Sequence, residues 1–311
     1  MGLTIFIIGL FKKVMVADYF ATISDIVFSS AVTGWVRPFD AWTGVLAYSL
    51  QIYFDFSGYC DMAIGLSLLF GILLPFNFDS PYKATSIVDF WRRWHITLSR
   101  FLRDYVYIPL GGNRFGRKRR YLNLLLTMLL GGLWHGAGWT YLIWGGLHGT
   151  YLALYHTWRS LLDRTPWLAR ASETTGYGIA ALVVTQCFVV MAWVFFRASS
   201  VKAAVRLLAA MLGLGGLSGH YASESALTPG FAMAAIACAY FACMVFPNVR
   251  DLFTGNDVGL VTYRKVNSTR TELLVWRPSA RWAAAAAAGL IAGLLAIQIA
   301  GDSTPFLYFQ F

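Results

Sequence analysis

Long apolar runs separated by short polar connections dominate the 311 residues. The run at 42–74 is nearly continuous, interrupted by Asp55, Gly58 and Asp61, and has length for one long tilted membrane span or two short segments. Further runs at about 121–136, 139–157, 176–196, 230–246 and 282–300 each predict a membrane helix. Residues 3–28 begin apolar but carry Lys12, Lys13, Asp18 and Asp25, which predicts a short or broken helix near an interface. Residues 75–84, with Pro75, Asn77, Asp79, Pro81 and Lys83, predict a polar connection, and the six alanines at 283–288 predict close helix packing.

The stretch 86–107 differs in kind. Ser86 followed three residues on by Asp89 suits a capped helix start. At 100° per residue, Trp91, Trp94, Leu98, Phe101, Leu102 and Tyr105 fall on one side, while Arg92, Arg93, Ser99, Arg100 and Arg103 fall on the other. Such a helix lies in the plane of the membrane interface, with His95 at the border of its two faces. Residues 201–213 predict another amphipathic helix.

Composition fixes the surroundings. Hydrophobic residues make up 58% of the chain and charged residues 13%, against about 25% charged in soluble domains. Too few charges remain to clothe a water-facing surface, so the expectation is an all-α, polytopic transmembrane protein. It would have interfacial and broken helices, about six to eight membrane segments, and a single domain over 1–311 embedded in a lipid bilayer. The 25 Lys and Arg against 15 Asp and Glu fit basic cytoplasmic loops near anionic headgroups, with no nucleic-acid partner expected. The region 111–120, read as a short loop carrying Arg114, Arg117, Lys118, Arg119 and Arg120, is placed in the cytoplasm. The basic stretches 159–170 and 247–281 then fall on the same side if each span crosses once. Cys60, Cys187, Cys238 and Cys243 lie in apolar runs without CxxC or disulfide spacing, and no metal site is expected.

Chemistry gathers at Gly131-Gly132-Leu133-Trp134-His135-Gly136, an imidazole among small and apolar neighbours inside a span. Counted from Arg120, His135 lies about 22 Å along a continuous helix. Ionisable groups at that depth usually face a cavity or a partner. His135 is therefore either a reacting or ligand-binding group, or a histidine hydrogen-bonded to a neighbouring helix. Asn123, Thr127, Gly131 and His135 recur every four residues and give one polar or small face that would line a narrow passage. His148, also flanked by glycines, is the rival to His135; His156 and His220 sit near span ends or in a loop and read as bland. Asp55 and Asp61 suggest proton transfer, or else capping and pairing with an arginine. Gly111-Gly112-Asn113 lacks the ending of a phosphate-binding loop.

Several segments resemble the membrane-bound O-acyltransferase (MBOAT) family: Phe90-Trp91-Arg92-Arg93-Trp94-His95, Arg103-Asp104-Tyr105, the run from Tyr107 through Gly111 and Gly112 to Arg114, and the Gly131 to Gly136 segment. Asp55-Phe56-Ser57-Gly58-Tyr59 and the final Pro305-Phe306-Leu307-Tyr308-Phe309-Gln310-Phe311 are similar to its bacterial polysaccharide branch, the alginate O-acetylation and D-alanine transfer membrane proteins. The resemblance implies transfer of an acyl group, most often acetyl, from a cytoplasmic thioester such as acetyl-CoA to a hydroxyl presented across the membrane. No tightly bound cofactor is implied. His135 corresponds to the principal base and His95 to its companion. An extracytoplasmic polysaccharide or acyl-accepting protein is the implied partner, and a bacterial inner membrane the implied location. Arg114, Arg117, Lys118, Arg119 and Arg120 either set topology or steer the donor's phosphates. By resemblance the chain starts mid-family, so several amino-terminal spans are expected to be missing. A transporter or channel, or a noncatalytic scaffold of a polysaccharide export complex, is the competing expectation.

Overall fold

The computed structural model describes residues 1–214, 229–253 and 276–300; His220, most of 247–281 and the closing Pro305 to Phe311 segment lie outside the described residues in whole or part. The architecture is all-α, with no strand among the described residues. Two compact units divide the chain: residues 1–23, 47–80 and 230 onward form one, and 24–46 with 81–229 form the other.

The opening helix α1 (Gly2–Phe11), in the first unit, leads through a π-helical turn at Lys12–Ala17 into α2 (Asp18–Thr33), whose residues from 24 on belong to the second, so the expected break is a widened turn within an unbroken helical stretch. Helix α3 (Pro38–Leu69) resolves the long run at 42–74 into one helix of 32 residues. Its Gly58 and Gly65 meet Gly9 and Gly2 of α1. A Cβ on Gly9 would fall 2.5 Å from the Gly58 carbonyl oxygen, so only glycine allows this backbone-to-backbone seam. The lysines of the π turn are held beside it: Lys12 pairs with Asp61 at 2.6 Å, and Lys13 with Asp55 at 2.8 Å and Asp18 at 2.7 Å. The partners of Asp55 and Asp61 are thus lysines, supplied from far along the chain, and not the arginine expected from sequence.

After α3 in chain order come α4 (Ile87–Arg93), α5 (Ile96–Leu102), α6 (Gly116–His135), α7 (Trp139–Leu162), α8 (Pro166–Ser172), α9 (Thr175–Arg197) and α10 (Val201–Met211), all in the second unit. Then α11 (Pro229–Val245), which begins at the unit boundary, α12 (Val249–Leu252) and α13 (Ala280–Ala300) return to the first. Helix α13 meets α1 through Gly289 and Gly293, whose added Cβ atoms would lie 3.1 Å from Ile7 and 3.3 Å from Leu10. The alanines at 283–288 are mostly exposed, which corrects the expectation that this run packs closely. Among the described residues, Thr175–Arg197 and Ala280–Gln298 are long and apolar enough to cross a membrane by length and composition alone.

The second unit is organised by the α6/α7 hairpin. A Cβ on Gly145 would come within 2.3 Å of the Met128 carbonyl oxygen, and one on Gly132 within 2.3 Å of the Tyr141 carbonyl oxygen. Glycines therefore let the two helices touch along their backbones, the close approach that small residues permit between membrane helices. Helix α9 packs on α7, and Gln186 ties it to the 3₁₀ turn at Pro81–Lys83 by donating to the Tyr82 carbonyl at 2.8 Å. Helix α10 is the amphipathic element expected near 201–213; its Ser200 cap accepts from the Ala203 N–H, and Trp42 donates to the Met211 carbonyl at 3.0 Å.

Candidate active site

The segment 86–107 starts as expected, with the Ser86 hydroxyl accepting from the Asp89 N–H at 3.1 Å. It does not continue as one interfacial helix. Trp94 is extended and His95 adopts φ +42°, ψ +58°, so α4 ends at Arg93 and α5 begins at Ile96. The left-handed conformation costs an L-residue with a full side chain roughly 1–2 kcal/mol, and such outliers concentrate at functional sites. The break turns the imidazole inward: His95 is 7% exposed, where a continuous helix would have left it between two faces. After α5 a π turn at Arg103–Tyr107 leads out, with Arg103 gripping Asp104 through Nε at 2.7 Å and Nη2 at 3.0 Å. Those hydrogen bonds hold the Asp104 carboxyl below the ordinary carboxylate range.

Helix α6 is continuous from Gly116 to His135, which places His135 at its far end from the basic residues, immediately before the Gly136 to Gly138 connection into α7. His135 is half-buried. Its ring lies edge to face against three others: Trp134 at 4.9 Å, Trp144 at 5.3 Å and Phe196 at 5.0 Å between centroids. His95 meets the opposite partner of this set, Trp134, at 6.5 Å. The histidines paired from sequence are thus brought to one indole.

His148 is fully buried one turn beyond Trp144 on α7. Trp91 of α4 donates its indole N–H to His148 Nδ1 at 3.3 Å. Around them, Phe90 stacks on Trp94 at 5.5 Å and lies parallel to His148 at 6.2 Å, while Trp144 stacks on Trp193 of α9 at 6.0 Å. Trp193 and Phe196 belong to this site and were not singled out from sequence. The available signal was the pairing of Trp193 with Phe196, three residues apart on one helix face beside a span end.

Asn123 is fully buried, and its Nδ2 donates to the carbonyls of Leu110 at 3.1 Å and Gly112 at 2.9 Å. It staples to α6 the turn in which Gly111 and Gly112 have φ of +101° and +55°. Thr127 donates to the Asn123 carbonyl at 2.7 Å. Both side chains on the expected passage face therefore bind backbone. The basic cluster is also differently built: Arg114 stays in the turn, but Arg117, Lys118, Arg119 and Arg120 occupy the start of α6, with no acidic residue in its first turn. The positive end of a helix disfavours cations, yet four stand together there.

The sequence matches the membrane-bound O-acyltransferase family, MBOAT, over residues 1–201. It is 51% identical over 226 residues to the peptidoglycan O-acetyltransferase of Helicobacter pylori, covering 73% of this chain and 41% of that protein. A probable alginate O-acetylase of Pseudomonas putida is 42% identical over 315 residues, covering 100% of this chain and 61% of the relative. The teichoic acid D-alanyltransferase of Bacillus subtilis is 34% identical over 157 residues, covering 48% and 39%. The chain spans less than two thirds of the length of these relatives. It belongs to the membrane-bound O-acyltransferase family and is a membrane protein. The expectations of family and of an all-helical fold are borne out.

Proposed function

We propose that this protein is a multi-pass membrane O-acyltransferase of a bacterial inner membrane, acetylating hydroxyls of an exported polysaccharide from a cytoplasmic acyl thioester. The observation that carries the reading is the junction of His95, Trp134 and His135, in which a strained backbone turns one imidazole toward the ring that holds the other. A hydroxyl is a poor nucleophile at neutral pH, and an imidazole placed against it is suited to take its proton in the transition state. His135 is assigned that role, with His95 supporting its position. The relatives' names support the substrate class: one is named for peptidoglycan, one for alginate, and both for O-acetyl transfer.

The basic start of α6 supplies the donor side. Arg114, Arg117, Lys118, Arg119 and Arg120 attract the phosphates of an acyl thioester such as acetyl-CoA, and the face carrying Asn123, Thr127, Gly131 and His135 leads from there along α6. No metal or bound cofactor enters the scheme. The test is deletion of the gene in its native host, followed by measurement of ester-linked acetate on the exported polymer. Loss of that acetate and its return on complementation are expected; an unchanged polymer together with altered ion or solute flux would favour a transporter.

A further inference from the structure

Three buried ring nitrogens, one of them on the Trp144 indole that touches His135, carry hydrogens without a hydrogen-bond acceptor among the described residues. Because Trp91 donates to His148 Nδ1 at 3.3 Å, Nδ1 is the acceptor, and the proton of the neutral imidazole resides on Nε2. Nε2 of His148 has no hydrogen-bond partner among the described residues, and neither has Nε1 of Trp144 or Nε1 of Trp193. The rings are mutual neighbours, with centroids 4.9 Å apart for Trp144 and His148, 6.4 Å for His148 and Trp193, and 6.0 Å for Trp144 and Trp193. His148 is 0% exposed and each tryptophan 1%. An N–H withdrawn from water without an acceptor is costly, and buried polar groups are otherwise nearly always satisfied.

The chemistry of the cluster is one-sided. All three groups donate, so a cation or a hydroxyl proton finds no acceptor among them. An oxygen with lone pairs fits. We propose, on the acyl-transfer reading above, that His148 Nε2–H, flanked by the indole N–H groups of Trp144 and Trp193, is the hydrogen-bond donor to the carbonyl oxygen of the acyl group. When the acceptor hydroxyl attacks, its oxygen bonds to the carbonyl carbon, the carbonyl π pair moves onto the carbonyl oxygen, and the hydroxyl proton passes to His135. Collapse restores the carbonyl, breaks the carbon–sulfur bond and returns the proton to the departing thiolate. Charge grows on the carbonyl oxygen in the transition state, where fixed donors act most strongly. Trp144 touches both His135 and His148, so base and donor share one aromatic wall. The two imidazoles thereby hold opposite jobs, with Trp91 fixing His148 as a donor.

Two substitutions separate the nitrogens of His148. His148→Gln places an amide N–H near the Nε2 position, whereas His148→Asn keeps an acceptor near the Nδ1 position and supplies nothing at Nε2. Acetyl transfer from acetyl-CoA is measured in membranes containing the intact protein, with thermal unfolding of each variant. The expected result is a kcat about 10²-fold lower for His148→Asn at little-changed KM, with His148→Gln within about 10-fold of wild type. Equal effects of the two, retention by Asn alone, or a loss confined to KM overturns the proposal; equality is also what buried water bound by these donors would give. If His148→Asn does not accumulate, Trp193→Phe removes one donor and keeps a ring, and an unchanged kcat there is equally fatal. The parent protein and His135→Ala are run in parallel: no acetyl transfer by the parent defeats the acyl-transfer reading itself, activity in His135→Ala defeats the assignment of the base, and an active parent with indifferent His148 variants defeats only this inference.

Discussion

The His135 imidazole stands at 89° to the Trp144 indole, with ring centroids 5.3 Å apart. Edge-to-face contact of this kind fixes a ring's plane as well as its place. Trp144 is 1% exposed, so Trp144→Ala opens a cavity under His135 and should cost about 3–5 kcal/mol of stability. Trp144→Leu, which fills more of the space, should unfold later on heating yet still transfer poorly, because an aliphatic side chain does not orient the imidazole. Thermal unfolding and transfer rates on the same preparations separate the two effects. Wild-type transfer by a stable Trp144→Leu protein would show that the contact only fills space.

His95 gives a contrast between stability and activity. Its φ of +42° suits glycine better than histidine. His95→Gly should therefore unfold no earlier than His95→Ala, in spite of glycine's greater chain entropy, since alanine bears the left-handed strain without the imidazole's contacts. Transfer should fall in both. A His95→Ala protein more stable than His95→Gly would mean the turn is not strained at this residue.

Much of this was legible in sequence and some was not. Ser86 and Asp89 announced the start of α4 because a cap acts locally, and the apolar run at about 121–136 stopped where α6 ends. The break at His95 was hidden, since the amphipathic pattern of 86–107 runs through it and a single residue with positive φ leaves the hydrophobic period nearly intact. Lys12 and Lys13 were visible as charges in an apolar run, but their carboxylate partners lie more than forty residues away for Asp61 and Asp55, which periodicity cannot reveal. The same limit explains Trp193, whose place beside Trp144 depends on how α9 packs against α7.

The α6/α7 seam makes a steric prediction with its own control. Gly145→Ala would set a Cβ 2.3 Å from the Met128 carbonyl oxygen, which forces the helices apart and should cost about 1–3 kcal/mol or more. Gly146→Ala, one residue on, meets nothing nearer than 3.6 Å, the Leu129 Cδ2 atom, and should be tolerated. Comparable thermal unfolding of the two variants would contradict the packing described.

Charge pairing in the first unit makes another. Asp61 has a side chain 8% exposed and holds Lys12 at 2.6 Å, so Lys12→Met leaves a carboxylate buried without that cation. The single change should destabilise by about 3–5 kcal/mol, and adding Asp61→Leu should recover much of the loss. Unfolding of the two single variants and the double variant gives the coupling directly. Additive losses would show that the pair is not an energetic unit.

At the start of α6, replacing Arg117, Lys118 and Arg119 with Gln should weaken use of an anionic thioester most at low ionic strength, where screening is least. Raising salt should narrow the gap from wild type. Donor dependence that is unchanged at every salt concentration would leave the cluster a determinant of topology alone.

The central claim is that His135 is the base. Its most direct test is the rate of acetyl transfer to the exported polymer by His135→Ala, in protein whose membrane insertion and unfolding temperature match the parent. The account predicts a loss of about 10²–10⁴-fold, the usual worth of general-base participation; transfer at the parental rate would contradict it.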